Sequence, residues 1–195
     1  MFIVQLHKSY HLCRASKILI NSSANLFSQS TSKEYQARKL VGFSEAQMYS
    51  VVSDVKNYQS FVPFCTKSKI LKKYENNLHA TLEIGFPPII ESYTSHVKLI
   101  KPQFVSAKCR DGTLFNYLET TWKFSPGLES NTQTCIVDFY IRFDFKSVIY
   151  SQVAQMFFEK LVQQMEWAFI SEAKRRFGTE SVPSYSLTAP PHRAS

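Results

Sequence analysis

The chain has 195 residues, 44% of them hydrophobic, and a formal charge of +8 with a pI near 9.3. That length buries one sizeable core with some excess at the ends, and no run of about 18 apolar residues exists to span a bilayer as a helix, so any membrane contact is expected to be peripheral. The four cysteines, Cys13, Cys65, Cys109 and Cys135, show neither a CxxC nor a zinc spacing, which reads as reduced thiols and argues against a disulfide framework or a structural metal.

The first segment, Met1 to Ser32, holds no Asp or Glu, spaced basic residues and seven serines. This basic, Ser-rich, acid-free composition predicts a mitochondrial transit peptide over residues 1–32. Lys8, Arg14, Lys17 and Lys33 precede the first acidic residue, Glu34, and subtracting these four from +8 leaves +4. Half of the basic signal therefore lies in or beside the leader, and what remains is a weak case for nucleic acid.

EYQARKLVGF then reads as an edge strand on which Arg38 and Lys39 discourage intermolecular pairing. Ser44 is a helix cap, and Met48, Val51, Val52 and Val55 recur at helical spacing, predicting a helix from about Glu45 to Val55 and a short turn through Tyr58 to Val62 before Pro63. From Thr66 to Phe145 the period changes to two. Leu78, Ala80, Leu82 and Ile84 form one face, then Leu118, Thr120, Trp122 and Phe124, then Cys135, Val137, Phe139, Ile141, Phe143 and Phe145. Turn signals at Glu75-Asn76-Asn77, Lys101-Pro102, Arg110-Asp111-Gly112 and Ser125-Pro126-Gly127 predict an antiparallel meander. Val148 to Phe177 has the length of one long helix, with an apolar stripe of Val153, Met156, Phe157, Leu161, Met165, Ala168 and Phe169, basic residues at its end and Gly178 as its stop. The tail from Thr179 to Ser195 reads as disordered.

These elements predict an α+β helix-grip fold: a curved antiparallel sheet wrapped around a long C-terminal helix, with a hydrophobic cavity between them. Alternation and the helix stripe give the cavity a lining of Leu82, Leu118, Trp122, Phe124, Phe139, Phe143, Val153, Phe157 and Leu161. Gly85-Phe86-Pro87-Pro88-Ile89-Ile90 reads as its apolar mouth, with Gly85 permitting a sharp turn. No GxSxG, HExxH or GxxxxGK stretch is present. Glu83, Glu91 and Glu119 could supply an acid and a base but fit a rim or surface better. Lys67, Lys69, Lys72 and Lys73 could meet phosphates, yet they suit a solvated edge strand or an anionic lipid surface as well.

VGFSEAQMYSVVSDVKNYQSFVPFC, LEIGFPPIIESYTSHV, DGTLFNYLETTWKFSPG and VDFYIRFDF before SQVAQMFF, in that order, resemble the mitochondrial coenzyme Q-binding proteins of the START-like, polyketide-cyclase superfamily. The resemblance covers about Tyr35 to Gly178 and implies a START-like domain over residues 33–178. It implies ubiquinone as bound ligand, no catalytic cofactor and no catalysis, in support of respiratory electron transport and ubiquinone biosynthesis. It further implies a peripheral place on the matrix side of the mitochondrial inner membrane and contact with quinone-synthesis or respiratory complexes. Phe64 stands where such proteins often carry Trp and is expected to keep the apolar lining. Two rivals remain open: a cyclase-like enzyme using the same cavity, and a ribosome-interacting protein of the kind bacterial relatives suggest.

Overall fold

A computed structural model describes residues 32–86, 89–109, 113 and 115–187, with the side chains of 86, 89 and 148–159 outside that description. The strands are β1 (Ser32–Val41), β2 (Cys65–Lys73), β3 (Asn77–Phe86), β4 (Ile89–Ile100), β5 (Phe104–Cys109), β6 (Phe115–Pro126), β7 (Cys135–Phe145) and β8 (Tyr185–Ser186). The helices are α1 (Glu45–Val52), a 3-10 turn (Val55–Ser60) and α2 (Val148–Phe177). One sheet takes the order β2-β3-β4-β5-β6-β7-β1-β8, each neighbouring pair antiparallel. The meander from β2 to β7 follows the turn signals, while β1 returns beside β7 and fixes the N-terminal strand to the last long one.

Local chemistry explains the small helices. Ser44 caps α1 through a reciprocal box: Gln47 N–H donates to Ser44 Oγ, and Ser44 N–H donates to Gln47 Oε1 at 2.8 Å. Met48, Val51, Val52 and Val55 are all buried, as their spacing predicts. The helix ends at Val52, earlier than expected, and the chain tightens into the 3-10 turn; there Tyr58 OH donates to Val52 O, satisfying a carbonyl at the helix end.

Three expectations are corrected. The first concerns β1, which is an edge strand over most of its length but is capped at Lys39 and Leu40 by pairing with Ser186 and Tyr185, and in which Lys39 turns under α2 while Arg38 stays outward beside Asp138. Secondly, the stretch Thr179 to Leu187 is ordered. Ser181 N–H donates to Gly42 O at 2.9 Å, Leu187 N–H to Arg38 O at 2.7 Å, and Lys174 pairs with Glu180, so backbone bonds hold a segment whose composition has few apolar anchors; residues 188–195 lie outside the described residues. The third concerns the buried stripe of α2, which is Val162, Glu166, Phe169, Ile170 and Ala173, spaced as one helix face. Leu161, Met165 and Ala168 flank it, half-buried, and the side chains of Val153, Met156 and Phe157 lie outside the described residues.

The leader likewise lies outside the described residues except for Ser32, which is already in β1 opposite Asp144. The opposite edge of the sheet is β2, where Lys67, Lys69, Lys72 and Lys73 are exposed and two register shifts interrupt the ladder, both devices that discourage further pairing.

Candidate functional site

Alternation turns one face of the long strands β1 and β3 to β7 toward the core. Reading across the ladder, Ala37, Phe139, Trp122 and Val105 form one row, and Tyr35, Ile141, Thr120, Ala107, Val97 and Leu78 the next. The two rows differ in packing. In the first, Trp122 lies 4.2 Å from Phe139 and 4.7 Å from Phe169 of α2, ring centroid to ring centroid, and the group is buried. In the second, Tyr35, Thr120 and Ala107 are half-buried although they face the helix side, as are Leu118 and Tyr93 nearby. The first row is buried throughout, whereas the second is buried at Ile141, Val97 and Leu78 and half-buried at Tyr35, Thr120 and Ala107.

The sealed end is reinforced by Tyr58 and Phe61, whose rings meet Phe169 edge-on at 5.4 and 5.3 Å. Burial holds the Tyr58 phenol well above its ordinary range. Beyond it, Glu172 of α2 accepts from Arg175 and Arg176, and Arg176 reaches Asp54 at 2.8 Å, tying the helix end to the 3-10 turn. These bonds, with Arg175 the larger influence, hold the Glu172 carboxyl down to about 2.

Next to Trp122 a polar group interrupts the apolar packing. Glu166 is 4% exposed on the inner stripe of α2; it accepts from Lys39 Nζ at 3.0 Å and from Tyr35 OH at 3.1 Å. Lys39, Val41, Met48, Trp122, Val137, Glu166, Phe169 and Ile170 enclose a cavity of about 10 Å³, close to the least that holds one water molecule.

The predicted lining residues separate into three groups. Leu82, Trp122, Phe124, Phe139 and Phe143 are buried on the inner face, and Leu118 is half-buried there. On α2, Trp122 meets Phe169. Phe64 stands apart: it adopts φ of +64° at the turn into β2, with 39% of its surface exposed, a strained backbone for an aromatic residue. Its carbonyl accepts from Gly85 N–H at 2.8 Å. Pro87 and the side chains of Phe86, Ile89, Val153 and Phe157 lie outside the described residues.

At the β3–β4 end the ladder continues to Gly85↔Ile90 and Phe86↔Ile89, leaving Pro87-Pro88 as a two-residue connection. Gly85 is therefore a strand residue and not a turn residue, and glycine is needed because a Cβ would collide with Thr66 Cγ2. Ile90 is 67% exposed.

Sequence reasoning missed Tyr35, Lys39 and Glu166. The available signals were Lys39 sharing a strand face with Tyr35 and Val41, and Glu166 lying three residues before Phe169 on one helix face. The chemistry of the remaining candidates is quiet. Burial, and then Glu83, pushes the Cys65 thiol up to about 11, and burial pushes Cys135 up to about 12, so neither is a poised thiolate. Lys67 and Thr66 hydrogen bonds lower the Glu83 carboxyl on the outer face. His79 and His96 lie opposite each other on that outer face, rings 4.2 Å apart. No helix among the described residues is long and apolar enough to cross a membrane.

The family model described as polyketide cyclase / dehydrase and lipid transport matches residues 41–170. The chain is 47% identical over 150 residues to the mitochondrial Coenzyme Q-binding protein COQ10 homolog B of Xenopus laevis, covering 77% of this chain and 62% of that protein, just under two thirds of its length. It is 30% identical over 135 residues to the Ribosome association toxin RatA of Escherichia coli, covering 69% and 83%. Among solved structures, the Zhui aromatase/cyclase of Streptomyces sp. R1128 superposes with a TM-score of 0.63 at 14% identity, covering 74% of this chain and 95% of that one, a likeness of fold alone. With two thirds of its residues in the family match, and 32% identity over 165 residues to the mitochondrial Coenzyme Q-binding protein COQ10 of Dictyostelium discoideum, covering 83% of this chain and 80% of that protein, the chain belongs to the coenzyme Q-binding family of the START-like, polyketide-cyclase superfamily.

Proposed function

We propose that the chain is a non-catalytic ubiquinone-binding protein that holds the quinone in a hydrophobic cavity between the sheet and the first half of α2 and exchanges it with a membrane. The observation that carries this reading is the half-burial of Tyr35, Thr120 and Ala107 on the inner face, with Leu118 nearby, beside the buried aromatic row of Trp122 and Phe139. Leu82, Leu118, Trp122, Phe124, Phe139 and Phe143 supply the sheet wall of the site, and Val153, Phe157 and Leu161 the helix wall. Phe86, Pro87, Ile89 and Ile90 form the mouth, with Phe64 beside it. The name of the frog relative supplies the ligand.

Burying roughly 300 to 400 Å² of apolar ligand surface at about 25 cal/mol per Å² gives on the order of 8 to 10 kcal/mol gross, before the costs of ordering and association. The bilayer offers the tail a similar gain, so transfer is close to neutral and reversible. In this reading residues 1–32 direct import, the protein works on the matrix side of the inner membrane as a peripheral protein, and it serves quinone-synthesis or respiratory complexes. The redox chemistry belongs to the quinone and to its enzymes.

The test is transfer. Protein incubated with ubiquinone-loaded vesicles and separated from them by flotation is expected to carry quinone absorbance in the protein fraction; an empty protein fraction at all lipid ratios contradicts the reading. A ribosome-binding role has one observation in its favour besides the similarity to RatA, the exposed Lys67, Lys69, Lys72 and Lys73 of β2. Salt-sensitive co-sedimentation with ribosomes, lost when these four become Gln, is the result that reading requires.

A further inference from the structure

We infer that the Lys39–Glu166 pair is the polar end of the ligand site and reads the ring oxygens of a quinone in either redox state. Lys39 Nζ donates to a carbonyl oxygen of the oxidised ring, and the Glu166 carboxylate accepts from a hydroxyl of the reduced ring. The inference rests on the quinone-binding reading above and supplies its head-group contacts.

The pair is expensive where it lies. Glu166 is buried beside Trp122, Val137 and Phe169 with Lys39 half-buried against it, and an ion pair with a buried member is often no more stabilising than apolar residues of the same volume. Stability alone therefore gives little reason for Glu166 on the inner stripe, whereas a ligand that must be both accepted from and donated to gives one. The geometry leaves capacity for it. Lys39 and Tyr35 both donate to Oε2, so Oε1 takes neither bond, and Glu166 lines the cavity. An ammonium carries three N–H groups, of which one is directed at Glu166; the Lys39 side chain keeps a quarter of its surface accessible.

Size sets the pose. A cavity of about 10 Å³ admits one oxygen atom and not a ring, so only the oxygen-bearing edge enters between Lys39 and Glu166. Tyr35 belongs to the half-buried row, one row beyond Ala37, Phe139 and Trp122, and reaches the pair through its hydroxyl, so the body of the ring lies along the Tyr35 side chain toward that row.

The experiment uses the full chain in detergent and three probes: short-tail ubiquinone, its anaerobically reduced form, and an isoprenoid hydrocarbon of similar length that lacks the ring. In the paired variant Lys39→Met with Glu166→Leu, which removes both charges together, affinity for both redox forms should fall about tenfold or more while the hydrocarbon binds as before. In Glu166→Gln the preference for the reduced form over the oxidised form should fall about fivefold, and this variant carries the test by itself if the paired variant does not fold. Unchanged quinone affinity in the paired variant, equal losses for quinone and hydrocarbon, or an unshifted redox preference in Glu166→Gln overturns the assignment. A wild-type protein that binds the hydrocarbon but no quinone overturns the underlying reading instead, so the two failures are distinct.

Discussion

Trp122 carries more of the structure than any other lining residue, because it joins the sheet to α2 by contacts on both sides, Phe139 at 4.2 Å and Phe169 at 4.7 Å. Trp122→Ala should lower stability by about 3 to 5 kcal/mol in urea unfolding, the usual cost of emptying a large aromatic site, whereas an unchanged midpoint would mean that the α2 contact is not made. Glu172 is a different case, since its effect depends on pH. Its folded carboxyl is held at about 2 against an ordinary 4.5, so the unfolded chain binds the extra proton and the stabilisation is fully present above about pH 4.5, declining as pH falls toward 2. Glu172→Gln should therefore cost about 1 to 3 kcal/mol at neutral pH and converge on the wild type in acid. A constant deficit from pH 7 to pH 2.5 would show that packing and not charge is responsible.

The β3–β4 hairpin and the C-terminal segment make opposite use of exposed chain. Pairing continues to Phe86↔Ile89, yet Ile90 stays 67% exposed, which suits a surface that meets lipid. Substituting Ile89 and Ile90 by Ser should weaken sedimentation with cardiolipin-containing vesicles and slow quinone exchange, with little change in melting temperature; a clear drop in melting temperature with unaltered vesicle binding would make the hairpin a core cap. The segment after α2 is bound tightly by comparison. A Cβ at Gly42 would collide with Val182 O and crowd Glu180 Cβ at 2.8 Å, so Gly42→Ala should displace residues 180–182 and cost about 1 to 3 kcal/mol. Proteolysis after Phe177 should quicken in that variant, and an unchanged digestion pattern would mean that the segment does not pack there.

Much of this molecule was legible because strand periodicity is an integer and survives one or two exceptions. The inward set of β7, from Cys135 to Phe143, needed nothing but alternation, and Ser44 announced α1. The phase of α2 was not legible for a physical reason: Leu161, Met165, Trp167, Ala168 and Ile170 offer apolar side chains on several faces, and the face that is buried contains Glu166. A carboxylate on an inner stripe makes sense once Lys39 arrives from β1, a partner 127 positions away that no local pattern announces. The tail after Thr179 was misread for a similar reason, since backbone hydrogen bonds to Gly42 and Arg38 leave no compositional trace. The sealed aromatic row, the partly accessible row on one side of it and the polar pair on the other are products of the whole sheet closing on one helix, and the quinone reading depends on that closure. Mass spectrometry of solvent extracts from the purified full chain tests it most directly: ubiquinone, oxidised or reduced, should be recovered in a fixed ratio to protein and be lost together with the Lys39–Glu166 pair. Extracts that hold bulk phospholipid and no quinone, from a folded protein isolated from quinone-containing cells, would contradict the account.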